Sequence, residues 1–241
     1  MALTLVYFPL RARGEVLRMI FRQGGLEYKD ELVTMQEWGA MKPTMPGGTL
    51  PAIRLPDGTI KGESVEIAKH AISLAPEKLG CEKADRAADA EAVWEDDQSS
   101  ERPWVQPPGV KSLDNCNPIL NFFPVETAEE RLGEGMCNLS KMASVWFKHI
   151  DEKLEGGPFL FGCSRPCHAD FMVFSRMDTM VDLNDEIVEK EASETVKSYY
   201  QAMLALPAVS GYLSERPAPG GEYGKPGTIF TTYTKTGKRT K

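Results

Sequence analysis

Tyr7 stands where an apolar run gives way to a helix start, with Leu10, Arg11 and Arg13 close behind it. That corner suits the stabilisation of a thiolate. A free thiol titrates near ~8.5 and is little ionised at neutral pH. A phenol, titrating near ~10, keeps its proton and can donate a hydrogen bond to sulfur. The positive end of the first helix and a nearby guanidinium add favourable charge. Each contribution is about 1 kcal/mol, and ~1.4 kcal/mol moves a pKa by one unit. Taken alone, Tyr7 reads equally well as an ordinary buried aromatic at a strand end.

Further along lie groups suited to the two ends of an extended zwitterion. Glu63-Ser64 opens a helix. Ser64 either caps that helix or leaves its N-terminus to a substrate carboxylate, with Glu63 then facing an ammonium. Trp38 and Lys42 are spaced i, i+4 and share a helix face, where they could grip a second carboxylate or simply meet solvent. Thr49-Leu50-Pro51-Ala52 precedes a strand. A cis Pro51 would present the backbone N–H and C=O of Leu50 to an extended peptide; a trans proline would only mark an edge strand.

The elements that must position these groups are interleaved strands and helices. Leu3–Phe8 reads as a buried strand, Gly14–Gln23 as a helix stopped by Gly24-Gly25, Tyr28–Val33 as a strand and Met35–Lys42 as a short helix. Asp57-Gly58 predicts a two-residue hairpin turn, and a helix follows over Glu63–Leu74. This β-α-β-α-β-β-α order is a thioredoxin-like layout. A redox member would need Cys-x-x-Cys at its first helix. The first cysteine is Cys81, beyond these elements, and Tyr7 occupies the corner instead.

After a linker over residues 76–82 the pattern becomes helical to residue 216. Helices are expected over Lys83–Ser100, Ala128–Leu154 (with Met142, Val145, Trp146 and Ile150 on one face), Ala169–Val181, Val188–Leu206 and Val209–Arg216. Ala169–Val181 is apolar nearly all round and should be a central buried helix. The predicted organisation is a thioredoxin-like domain over 1–75, an all-α helical-bundle domain over 83–216 and a tail over 217–241 that is extended unless it docks.

The 241 residues carry a net charge of −7, which argues against nucleic acid as a partner. No apolar run approaches the ~20 residues of a membrane span, and the N-terminus lacks a basic region ahead of its apolar stretch. Five cysteines without a tight framework suggest free thiols in a reducing compartment. Cys163, Cys167 and His168 lie close together, yet no second Cys or His pair stands at finger-like spacing, so no metal site is expected.

In their order and spacing these segments resemble the cytosolic glutathione transferases over about residues 3–216. LVYFPLRARGEVLR is similar to the start of the sigma class, which includes haematopoietic prostaglandin D synthase, with Tyr7 matching the catalytic tyrosine and Arg13 its supporting arginine. EWGAMK contributes Trp38 and Lys42 for the glycine carboxylate of glutathione, TLPAI contributes Leu50 and the cis-proline position Pro51, and GESVEIAKH contributes Glu63 and Ser64 for the γ-glutamyl end. Thr49 stands where a lysine is often found, and Glu63 where sigma enzymes usually carry Gln. FLFGCSRPCHADFMVF resembles the capping segment of the family's central helix, with Asp170 in place and Cys167 at the usual Ser or Thr. WEDDQSSERPW supplies Asp97 at the position that reaches the partner subunit's glutathione; Asp96 and Asp97 read equally well as a solvated acidic face.

The resemblance implies glutathione as co-substrate, a cytoplasmic enzyme and a symmetric homodimer. It also implies a small hydrophobic electrophile bound where the first domain faces the helices. Leu10, Arg11 and Trp104 are the expected lining, with Phe122 and Phe123 more readily read as core. A glutathione-dependent isomerase of the prostaglandin synthase type and a non-catalytic ligand-binding protein of the same fold are the alternatives.

Overall fold

The computed structural model describes residues 2–9, 11–95 and 143–216. The chain divides into two compact units, Met1–Gly80 with Ala205–Pro217, and Cys81–Leu204 with Ala218–Lys241.

The first unit is built on a four-stranded sheet in the order β2-β1-β3-β4. Its strands are β1 (Leu3–Tyr7), β2 (Tyr28–Leu32), β3 (Ala52–Arg54) and β4 (Ile60–Gly62). β1 runs parallel to β2, with Tyr7 opposite Leu32, and antiparallel to β3, with Leu5 opposite Ile53 and Val6 opposite Ala52. The parallel pair requires a crossover, and α1 (Ala12–Gly24) supplies it. The pleat sends alternate residues to opposite faces. Val6 and Ala52 pack with Val33 and Met45 beneath Trp38, Met41, Leu50 and Ile60. Trp38 and Met41 come from α2 (Met35–Met41), whose Thr34–Glu37 capping box is complete.

α1 buries Val16, Leu17, Ile20 and Phe21 and packs against α3 (Ser64–Leu74). It stops at Gly25, which takes φ 70° and returns its N–H to the carbonyls of Arg22 and Phe21. The β3–β4 hairpin departs from expectation. Leu55 closes it by donating to Thr59 and by accepting from Gly58, so the loop is Pro56-Asp57-Gly58 with Gly58 at φ 88°. Three residues replace the predicted two because Pro56 favours the first corner of a turn and Gly58 supplies the left-handed residue of a bulge.

Two further helices join this unit. α4 (Pro76–Leu79) lies within the stretch read as linker and buries Leu79 beside Gly24 of α1. α10 (Pro207–Glu215) packs on α1, where Arg22 pairs with Glu215 at 2.5 Å and lies 5.6 Å over the Tyr212 ring.

The second unit contains α5 (Ala87–Glu95), α6 over 143–154, α7 (His168–Leu183), α8 (Ile187–Glu191) and α9 (Glu194–Ala205). α7 is the buried helix its composition predicts: Phe171, Met172, Val173, Phe174 and Met177 are all inside. On α6, Trp146 and Ile150 are buried with Ala143, Phe147 and Leu154, whereas Val145 is 46% exposed. The stripe at 143, 146, 147, 150 and 154 keeps helical period, and Val145 lies off it. The single helix expected over Val188–Leu206 is two, because Ser193 caps α9 through the Val196 N–H at 3.2 Å. The helix expected from Lys83 opens as a 3-10 turn at Ala84–Arg86, and its later part lies outside the described residues.

α7 starts on a buried carboxylate. Asp170 accepts the Cys167 N–H at 2.8 Å and the Leu160 N–H at 3.0 Å. The Trp94 indole donates to the His168 carbonyl at 3.1 Å, and the Tyr199 hydroxyl to that of Asp170 at 3.1 Å. Asp170 therefore supplies the cap that Cys167, in the place of Ser or Thr, provides only weakly.

Candidate active site

Tyr7 is the last residue of β1, and its carbonyl accepts the Val33 N–H at 2.8 Å. Its ring lies directly on Gly14 in the first turns of α1: a Cβ added there would stand 2.3 Å from the Tyr7 Cδ1 atom. Any side chain at Gly14 would displace the phenol, so glycine is required for this close approach. The ring also tilts against Phe8 at 5.9 Å, and Phe8 meets Trp38 edge-on at 5.5 Å. Tyr7 and Trp38 are thus joined through one intervening ring.

Arg13 is half-buried in the first turn of α1, next to Gly14. Arg11, at the N-cap, is turned inward. Its Nε donates to both oxygens of Glu15, at 2.9 and 3.0 Å, and Arg216 binds the same carboxylate at 2.5 Å. All three side chains are at most 4% exposed. Burying such charges is tolerable only when they are paired.

At α3 the features are different. Glu63 takes φ 60° and ψ 124°, a strained conformation for a residue with a side chain, and its own side chain makes no capping hydrogen bond to the helix behind it. Ser64 is 2% exposed, and its Oγ finds no hydrogen-bond partner among the described residues. A buried hydroxyl without a partner costs free energy, which a ligand's oxygen would recover. The Thr49 hydroxyl donates to Glu63 Oε1 at 3.2 Å and so orients that carboxylate. The Leu50–Pro51 peptide is cis, with Pro51 buried and β3 beginning at Ala52.

Trp38 is half-buried over the Val6 cluster, and Lys42 is exposed at the C-cap of α2. The Lys42 stem lies along the following loop, with its Cε 3.5 Å from where a Gly48 Cβ would stand. Tyr7, Trp38, Lys42, Thr49, Leu50, Pro51, Glu63 and Ser64 all belong to the first unit. Leu10, Asp97 and Trp104 lie outside the described residues, as do Phe122 and Phe123.

A family model described as the glutathione S-transferase C-terminal domain matches residues 115–216. A class-mu 28 kDa glutathione S-transferase isozyme from Schistosoma japonicum is 28% identical over 227 residues, covering 89% of this chain and 98% of its own. These likenesses support a cytosolic glutathione S-transferase. Mouse hematopoietic prostaglandin D synthase is 25% identical over 215 residues, covering 88% of this chain and 96% of its own. Among solved structures, the glutathione S-transferase of Ascaris lumbricoides shares the fold with a TM-score of 0.67 at 20% identity, covering 90% of this chain and 98% of its own.

Reading the sequence missed Gly14, Glu15 and Arg216. Gly14 carried a signal, since glycine inside a predicted helix start calls for a close approach. Glu15 looked like a favourable acid in a first turn, and its partner Arg216 is 201 residues away.

Proposed function

We propose that this glutathione transferase activates its co-substrate through Tyr7, whose phenolic hydroxyl keeps its proton and donates a hydrogen bond to the glutathione thiolate so that the sulfur can attack a small hydrophobic electrophile. The observation that carries the reading is the start of α3: a strained Glu63 whose side chain does not cap the helix, and a buried Ser64 hydroxyl without a partner among the described residues. A carboxylate at the γ-glutamyl end suits that helix N-terminus, and Glu63 can face the neighbouring ammonium. The backbone of Leu50, before the cis Pro51, can pair with the cysteinyl peptide, and Trp38 and Lys42 can take the glycine carboxylate. Arg13 adds positive charge near the sulfur. Thr49 keeps Glu63 in orientation, and holding the thiolate beside the electrophile supplies much of the remaining rate.

The finer assignments belong to the same proposal: the sigma class, a cytoplasmic homodimer, Asp97 directed at the partner subunit's glutathione, and Leu10, Arg11 and Trp104 against the second substrate. Arg11 would serve that pocket through its stem, since its Nε is held by Glu15. A glutathione-dependent isomerase is the second reading, favoured by the full-length likeness to a prostaglandin D synthase. Product analysis separates the two, because an isomerase returns free glutathione.

Calorimetric titration with glutathione, followed by an aryl-halide conjugation assay, tests the proposal. Tyr7→Phe should raise the pKa of bound glutathione by about one unit and lower conjugation at neutral pH by about 10- to 100-fold. Unchanged activity across a pH series would remove Tyr7 from the role.

A further inference from the structure

Three thiols gather in the second unit, from places far apart in the chain. Cys81, Cys163 and Cys167 are all free cysteines. The sulfurs of Cys81 and Cys163 are 3.8 Å apart, near enough that side-chain rotation brings them toward the ~2.05 Å of a bond. Cys163 and Cys167 are fully buried and Cys81 is partly exposed.

A clamp one residue further along holds the two segments together. The Glu82 carboxylate accepts the Ser164 N–H at 2.7 Å and its hydroxyl at 2.8 Å. Each clamp residue directly follows one of the cysteines, so the thiols stay side by side without a covalent link, which favours an intramolecular reaction between them. Cys167 is less free to move, because its N–H is fixed by Asp170 at 2.8 Å at the start of α7. The environment also separates the thiols chemically. Cys81 is drawn down to about 6, first by a hydrogen bond from the Cys167 thiol and then by the Lys83 backbone, the Cys163 thiol and the charge of Arg165, against the effect of burial. Burial pushes Cys163 up.

We propose that Cys81 and Cys163 form a dithiol modification site, in which Cys81 attacks a low-molecular-weight disulfide and Cys163 resolves the product into an intramolecular Cys81–Cys163 disulfide. The Cys81 thiolate attacks one sulfur of R–S–S–R; that bond breaks, and one RS⁻ leaves and takes a proton from water. Cys163 then gives up its proton, its sulfur attacks the Cys81 sulfur of the mixed disulfide, and the second RS⁻ leaves and is protonated. The two cysteines lose two electrons and two protons, and R–S–S–R becomes two R–SH. The partly exposed thiolate meets the reagent, and the buried thiol is reached only from within.

The test uses the reduced full chain and 2-hydroxyethyl disulfide at pH 7, with acid quench, alkylation and peptide mass mapping. A reagent unrelated to glutathione keeps the result independent of glutathione binding. The expected product is a peptide pair joined through Cys81 and Cys163 and released by reductant. Cys163→Ser should stop at a hydroxyethylthio group on Cys81. On the unmodified chain, limiting iodoacetamide at pH 6.5 should label Cys81 about tenfold faster than Cys163 or Cys167. A persistent mixed disulfide on wild-type Cys81, a Cys81–Cys167 link, or equal labelling of the three thiols would each overturn the proposal.

Discussion

Helix α7 starts on a buried carboxylate that already holds backbone partners, and helix α3 starts on a buried hydroxyl that has none among the described residues. At α7 the buried Asp170 side chain ties down two backbone N–H groups, and neighbouring carbonyls are held by Trp94 and Tyr199. At α3 the N-cap side chain makes no capping hydrogen bond, Glu63 is strained, and the Ser64 hydroxyl is buried without a partner among the described residues. Both sites bury polar atoms, and they differ in who satisfies them. A start satisfied from within holds the fold. A start left open accepts a destabilising cost that a bound anion can offset.

The contrast can be broken most forcefully at α7. Asp170→Ala strands two buried N–H groups and should lower unfolding free energy by about 3 kcal/mol or more, read in urea titrations. A loss under 1 kcal/mol would mean that Asp170 does not hold the helix start.

His168 sharpens the same point through pH. Burial lowers it from 6.5 to about 4, so the folded chain keeps it neutral where the unfolded chain protonates it. Its contribution is present above pH 6.5 and is lost as pH falls toward 4, by up to roughly 3 kcal/mol. Asp170 acts in the opposite sense. Burial raises it from 3.8 to about 6 against the N–H groups that hold it, so its contribution weakens as pH rises through that window. Comparing wild type with His168→Gln at each pH isolates the histidine, and a difference that stays constant from pH 7 to 4 would refute the assignment.

At α3 the expected effects divide between binding and stability. Ser64→Ala should weaken glutathione binding by about tenfold in calorimetry while leaving unfolding free energy unchanged or slightly raised, because an unsatisfied hydroxyl is removed. A stability loss with intact binding would make Ser64 structural and erase the contrast. The smallest effect is expected at α2, where the exposed Thr34–Glu37 box is an ordinary cap. Thr34→Ala should cost about 1 kcal/mol, with thermal unfolding as the readout. A much larger loss would show that exposure does not weaken the dependence on a cap.

Much of the architecture was legible because periodicity and punctuation are local properties. The Leu3–Phe8 run, the glycines after α1 and the all-round apolar α7 announced their elements directly. Local chemistry also explains two departures: Pro56 lengthens the hairpin loop, and Ser193 starts a new helix inside an apparently continuous pattern. The residues proposed for glutathione could be nominated from motif order, since each described one lies within a short segment of the first unit.

The sequence by itself determined the interleaved first half and the helical second half, because these depend on neighbours within a few turns of chain. Only the tertiary structure decided that Gly14 makes room for the Tyr7 ring, that Glu15 meets Arg216, and that Cys81 lies beside Cys163. Such contacts join residues whose separation along the chain carries no periodic signal, and packing alone sets the distances on which charge, burial and reactivity depend.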